Sequence, residues 1–146
     1  MKVIRSIVLM CLGGLLPAAA VGQTIVRTDI VWTDVNARRI QRRDVNGGEI
    51  ETIVQFSSPQ AAYLIHYDPI TAKLYYLFYG PPTSFQRANL DGSEPENIPT
   101  PSLGNFTLNV ESRKLYWINP GNVLNRSELN GAGVESHTYP SCCLVT

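Results

Sequence analysis

The sequence predicts an all-β fold in which one small antiparallel sheet is repeated side by side, and three observations predict it. Aromatic residues recur at positions 32, 76 and 117, spaced by 44 and 41. Glycines that follow Asn or Asp recur at 47, 92 and 131, spaced by 45 and 39. Beyond residue 23 no stretch carries the sustained 3.6-residue apolar period of an amphipathic helix. A fixed order of two landmarks at a period near 40 is the mark of a repeat architecture.

Taken from the start, Lys2 and Arg5 precede an apolar run over residues 6–16. Pro17 and the small residues Ala18, Ala19, Ala20, Val21 and Gly22 follow. A basic start, a short apolar core and a small-residue cleavage site make an export signal, assigned to residues 1–23. The core falls short of the roughly 20 apolar residues that span a bilayer. Removal of the signal takes Lys2 and Arg5 and leaves 10 basic against 12 acidic residues, whereas the whole chain has 12 of each. Such a balance excludes a whole-chain basic field for nucleic acid. The expected product is secreted.

The first repeat (24–58) carries strands near 29–34, 39–45 and 50–55, with no clear inner strand before residue 29. The second (59–101) carries four, near 62–67, 74–79, 84–90 and 95–99. The third (102–138) carries four, near 105–110, 114–119, 122–129 and 133–138. Tyr, Trp, Val, Ile and Phe fill these segments, as suits half-buried pleated surfaces. Asn46-Gly47, Asp91-Gly92 and Asn130-Gly131 are tight-turn pairs that tolerate positive φ. Asp68-Pro69 and Gly80-Pro81-Pro82 interrupt the strands. Four short strands per forty-odd residues is the layout of a propeller blade.

Val31-Trp32-Thr33-Asp34 resembles the signature tetrad of the low-density lipoprotein receptor class B, or YWTD, repeat. Lys73-Leu74-Tyr75-Tyr76 and Lys114-Leu115-Tyr116-Trp117 resemble the approach to that tetrad. Arg87-Ala88-Asn89-Leu90-Asp91-Gly92 resembles its second landmark. The repeat signature thus comprises Trp32, Thr33, Asp34, Tyr75, Tyr76, Tyr116 and Trp117, with Gly47, Gly92 and Gly131. The resemblance implies a partial β-propeller of three four-stranded blades, an extracellular setting and binding to a protein ligand through one face. Only the first repeat keeps the Thr-Asp pair. The second has Leu77-Phe78 and the third Ile118-Asn119. Family propellers have six blades, so two copies completing one ring as a homodimer is a further expectation.

Chemistry is sparse. No nucleophile elbow or phosphate loop is present, His66 and His137 stand far apart, and no metal or other cofactor is expected. Asp44, Asn46, Asp68 and Asp91 read as turn formers rather than calcium ligands. Arg38, Arg39, Arg42 and Arg43 form the densest basic group, read as the solvated strands of a blade with polyanion binding as the alternative. Asn105 and Asn125 begin glycosylation sequons. The tail 139–146 holds the vicinal Cys142 and Cys143, expected to pair with another chain or with segments beyond this sequence because neighbours close a strained ring. The expected function is non-catalytic protein binding. The alternative is part of a six-bladed enzyme of lactonase or strictosidine-synthase-like type, with His66, Asn109 and Asn119 as loose inward candidates.

Overall fold

The computed structural model describes residues 4–13, 26–100, 105–119 and 121–138. Its described residues form strands and turns with no helix. The strands are β1 (Ile4–Gly13), β2 (Val26–Asp34), β3 (Arg39–Asp44), β4 (Glu51–Gln55), β5 (Ala61–Asp68) and β6 (Lys73–Tyr79). They continue as β7 (Ser84–Asn89), β8 (Glu96–Ile98), β9 (Phe106–Asn109), β10 (Lys114–Asn119), β11 (Val123–Glu128) and β12 (Glu135–Thr138). Three four-stranded antiparallel sheets result, ordered β1-β2-β3-β4, β5-β6-β7-β8 and β9-β10-β11-β12. Each sheet pairs its strands in chain order, and β5 lies beside both β1 and β9. The sheets therefore fan out from adjacent inner strands, which is a run of three propeller blades.

One expectation changes. The first repeat does have an inner strand: β1 pairs with β2 from Ile7↔Trp32 to Gly13↔Val26, and β2 starts three residues earlier than the pattern predicts. The physical reason lies in the β2 edge, whose backbone N–H and C=O groups need partners when the neighbouring sheet packs beside them. The apolar run that reads as an export signal is also a good strand, because Ile and Val favour pleated surfaces. The remainder of that segment (14–25), Cys142 and Cys143 lie outside the described residues.

Strand alternation sends each sheet's side chains into the two gaps between sheets. Val31 and Ile40 of the first sheet meet Ala62, Ile65, Leu74, Tyr76 and Ala88 of the second. Tyr75, Phe85 and Ile98 on the opposite face of the second sheet meet Phe106, Leu115, Trp117 and Leu129 of the third. Phe85 lies tilted on Phe106 at 4.7 Å and edge-on to Trp117 at 6.2 Å between ring centroids. Each fully buried side chain of this size contributes about 1.5–3 kcal/mol by leaving water. The second sheet is covered on both faces, and so it keys the array.

The turns hold by the mechanism that Asp and Asn supply. Asn46 N–H donates to Asp44 Oδ1, Ile70 N–H to Asp68 Oδ1, Ser93 N–H to Asp91 Oδ1, and Ala132 N–H to Asn130 Oδ1. These carboxylates and amides are turn formers, as the sequence predicts.

Candidate recognition surface

A single device recurs in all three sheets at identical spacing: Arg, four residues on Asn or Asp, then Gly, then Glu nine residues after the Arg. It reads Arg42-Asn46-Gly47-Glu51, Arg87-Asp91-Gly92-Glu96 and Arg126-Asn130-Gly131-Glu135. Strand pairing sets Arg42 opposite Glu51, Arg87 opposite Glu96 and Arg126 opposite Glu135. The ion pairs close at 2.7, 2.7 and 2.8 Å. Arg87 holds the Glu96 carboxyl below its ordinary range, and Arg126 does the same for Glu135. All three pairs lie on equivalent faces, which in the first two sheets look toward the following sheet. The glycines serve the opposite face. A Cβ on Gly92 (φ +82) would sit 2.6 Å from the Ile53 carbonyl oxygen of the sheet before it. A Cβ on Gly131 (φ +83) would sit 2.5 Å from that of Pro99. Each turn thus seats against the outer strand of the previous sheet, where only glycine fits.

A second tie joins the second and third sheets. Asp68, fully buried at the end of β5, accepts a bond from Arg113 Nη1 at 2.7 Å and others from Thr71 Oγ1 and Ile70 N–H. Burial alone would raise this carboxyl; the donors outweigh it and hold it below its usual value. His66, half-buried on β5, bonds the Phe106 carbonyl through Nε2 at 3.1 Å and stacks edge-on against the Phe106 ring. Burial lowers its pKa against the opposing pull of that carbonyl. His66 therefore stitches inner strands together.

The loops β2–β3, β6–β7 and β4–β5 make one rim. Gln55 Nε2 donates to the carbonyls of Ala37 and Arg38, and Phe56 N–H donates to Arg38. Phe56 packs on Phe78 and Tyr76, binding the rim of the first sheet to the second. In the β6–β7 loop Thr83 Oγ1 donates to the buried Gly80. From this braced platform Tyr79 projects with 55% exposure, edge-on to Tyr63 at 5.8 Å, beside exposed Pro81 and Pro82. This part of the rim combines two tyrosines and two prolines. Tyr is a residue type that interfaces favour.

Of the signature residues, Thr33, Asp34, Tyr75, Tyr76 and Trp117 are buried. Trp32 and Tyr116 are half-buried. Burial drives the Tyr76 phenol up to about 12. Asp34 bonds within its own loop, accepting from Ala37 N–H, with Arg39 at 3.6 Å. The inter-sheet tie comes instead from Asp68 and Arg113, which motif reasoning misses. The basic group divides: Arg42 pairs with Glu51, Arg39 approaches Asp34, and Arg43 points to the other face. Asn105 is exposed. Asn125 is buried, donating to the Val123 carbonyl and accepting from Ser136 Oγ. Asn109 and Asn119 lie at opposite ends of β10's register, five residues and so about 16 Å apart, and do not share a site with each other. No group of three His, Cys, Asp or Glu side chains is placed to hold a metal among the described residues. No helix among them is long and apolar enough to cross a membrane.

No family model matches the sequence, and no curated protein matches it. Solved structures do. A chain of a nidogen/laminin complex is 19% identical, with a TM-score of 0.62 over 74% of this chain and 43% of that one. An oligogalacturonate lyase from Vibrio parahaemolyticus is 13% identical, with a TM-score of 0.61 over 79% of this chain and 35% of that one. The chain spans less than half the length of either structure. At these identities the likeness establishes the fold, and the chain is an all-β array of three antiparallel sheets similar to propeller structures.

Proposed function

We propose that this chain is an exported, non-catalytic protein-recognition module of YWTD type, and that its binding surface is the rim around Tyr63 and Tyr79. The observation that carries this reading is the Tyr79 side chain, more than half exposed at the end of β6, next to Phe78 held by Phe56 and to a loop closed by the Thr83–Gly80 bond. Fixed aromatic groups lose little conformational entropy on binding, which makes them efficient anchors. The nidogen/laminin structure supports protein binding as the use of such a scaffold. The basic start and apolar run before residue 23 support export; cleavage there would remove β1 and leave β2 as the edge of the first sheet.

The test compares the wild-type protein with Tyr79→Ala and Tyr63→Ala, each immobilised and exposed to conditioned medium from the cells that express it. A protein retained by the wild type and lost from either variant, at unchanged melting temperature, supports the reading. Equal retention by all three removes the rim from it. Hydrolysis of a lactone panel with added calcium is measured alongside, and saturable turnover contradicts the non-catalytic assignment.

A further inference from the structure

We propose that the outward face of the third sheet is a docking site for the first sheet of a second copy of this chain, repeating the joint the chain already makes twice within itself. This proposal stands on the sheet ends and is independent of the rim.

Both internal joints use the same parts. A strand pair from the front of one sheet (Val31 and Thr33 with Arg42 and Ile40; Tyr75 and Leu77 with Arg87 and Phe85) faces the rear of the next. The rear brings an aromatic residue (Tyr76 or Trp117), a small residue (Ala88 or Ser127), an apolar turn residue (Leu90 or Leu129) and the turn glycine. The third sheet has the complete front, and among the described residues no sheet stands in front of it. Tyr116, Ile118, Leu124 and Arg126 stand where Tyr75, Leu77, Phe85 and Arg87 stand in the second sheet. Yet Ile118 is 55% exposed, and all of β12 is exposed where β8 buries Ile98. The arginine of the repeated ion pair shows the same gradient, 17% exposed at Arg42, 27% at Arg87 and 48% at Arg126. A hollow of about 300 Å³ opens on this face between Tyr116, Leu124, Arg126, Glu135 and His137.

The first sheet has the complementary rear. Trp32 and Gln41 take the places of Tyr76 and Gln86. Val45, 48% exposed, takes the place of Leu90 and Leu129. Gly47 keeps the turn glycine at φ +115, and its Cβ position meets only its own sheet's Arg43, at 3.8 Å. The single departure is Arg43, exposed where the internal joints place Ala88 and Ser127. It carries a cation toward a front that displays the half-exposed Glu128 and Glu135 carboxylates. Front and rear differ, so the contact is head to tail, which closes as a ring or extends as an open chain. A closed pair is the assembly expected.

The test is sedimentation velocity on the purified protein across the micromolar range, with Ile118→Arg on the front and Val45→Arg on the rear. Both positions are exposed, and thermal melting checks that both variants fold. The expected result is a discrete dimer for the wild type and at least about tenfold weaker association for each variant, as charge at the centre of an interface produces. A monomeric wild type overturns the proposal. So does a Val45→Arg protein that still dimerises, because the front then meets another front. A ladder of larger species overturns the closed pair.

Discussion

Replacing Arg113 by Ala removes the donor that crosses from the third sheet to Asp68 in the second, and its cost can be worked from the geometry. The bond is 2.7 Å long and ionic, and its acceptor is fully buried. Hydrogen bonds to charged groups contribute about 1.5–3 kcal/mol. Arg113 is 35% exposed, so solvent screening lowers this. Asp68 keeps its bonds from Thr71 and Ile70, which prevents the larger penalty of an isolated buried charge. The loss expected is therefore about 1–2 kcal/mol at pH 7. The assay is urea denaturation at a series of pH values. The Asp68 carboxyl lies below its unfolded value, so its contribution is complete above the unfolded value of about 3.9 and fades as pH falls through the folded one. The wild-type advantage over Arg113→Ala must shrink across that acid window. A variant within about 0.3 kcal/mol of wild type at pH 7, or a difference that grows in acid, would refute the assignment of Asp68–Arg113 as an inter-sheet tie.

Trp117→Ala should cost about 3–5 kcal/mol in denaturant titration, since the ring is 1% exposed and its neighbours cannot fully collapse. Gly131→Ala should lower the melting temperature more than Gly47→Ala, because both carry backbone strain but only the former drives a methyl into the Pro99 carbonyl. Burial depresses the pKa of His66, so the unfolded chain takes up the proton first as pH falls below about 6.5. Stability should decline from that point downward, and His66→Asn should flatten the decline between pH 7 and 5. Glycosidase treatment followed by peptide mass spectrometry should find a glycan at exposed Asn105 and none at buried Asn125; occupancy of Asn125 contradicts its packing against Ser136.

Sheet content and repeat period are legible in the sequence because both arise from local chemistry. Aromatic and β-branched runs make the strands, and Asn-Gly and Asp-Gly pairs make the turns, so β5 to β12 fall within about two residues of expectation. The inner strand of the first sheet is not legible, because a run such as Ile4–Gly13 satisfies export and strand pairing equally, and its pairing with β2 shows only in the fold. The Arg-to-Glu ion pairs are written plainly at nine-residue spacing, but the pattern gains meaning only when cross-strand register sets each Arg against its Glu. Asp68 and Arg113 are 45 residues apart in sequence, and their meeting follows from how two turns stack. The Tyr63–Tyr79 pair is hidden for a related reason: one residue lies near the start of β5 and the other closes β6, and the hairpin register brings them together.

The account turns on three like sheets lying side by side, each turned against the next. Aromatic nuclear Overhauser contacts measure that most directly. The account predicts cross-peaks from Phe56 to Tyr76, across the first gap, and from Phe85 to Trp117, across the second. Well-resolved spectra in which Trp117 contacts the first sheet, or in which Phe85 and Trp117 share no cross-peak, would contradict it.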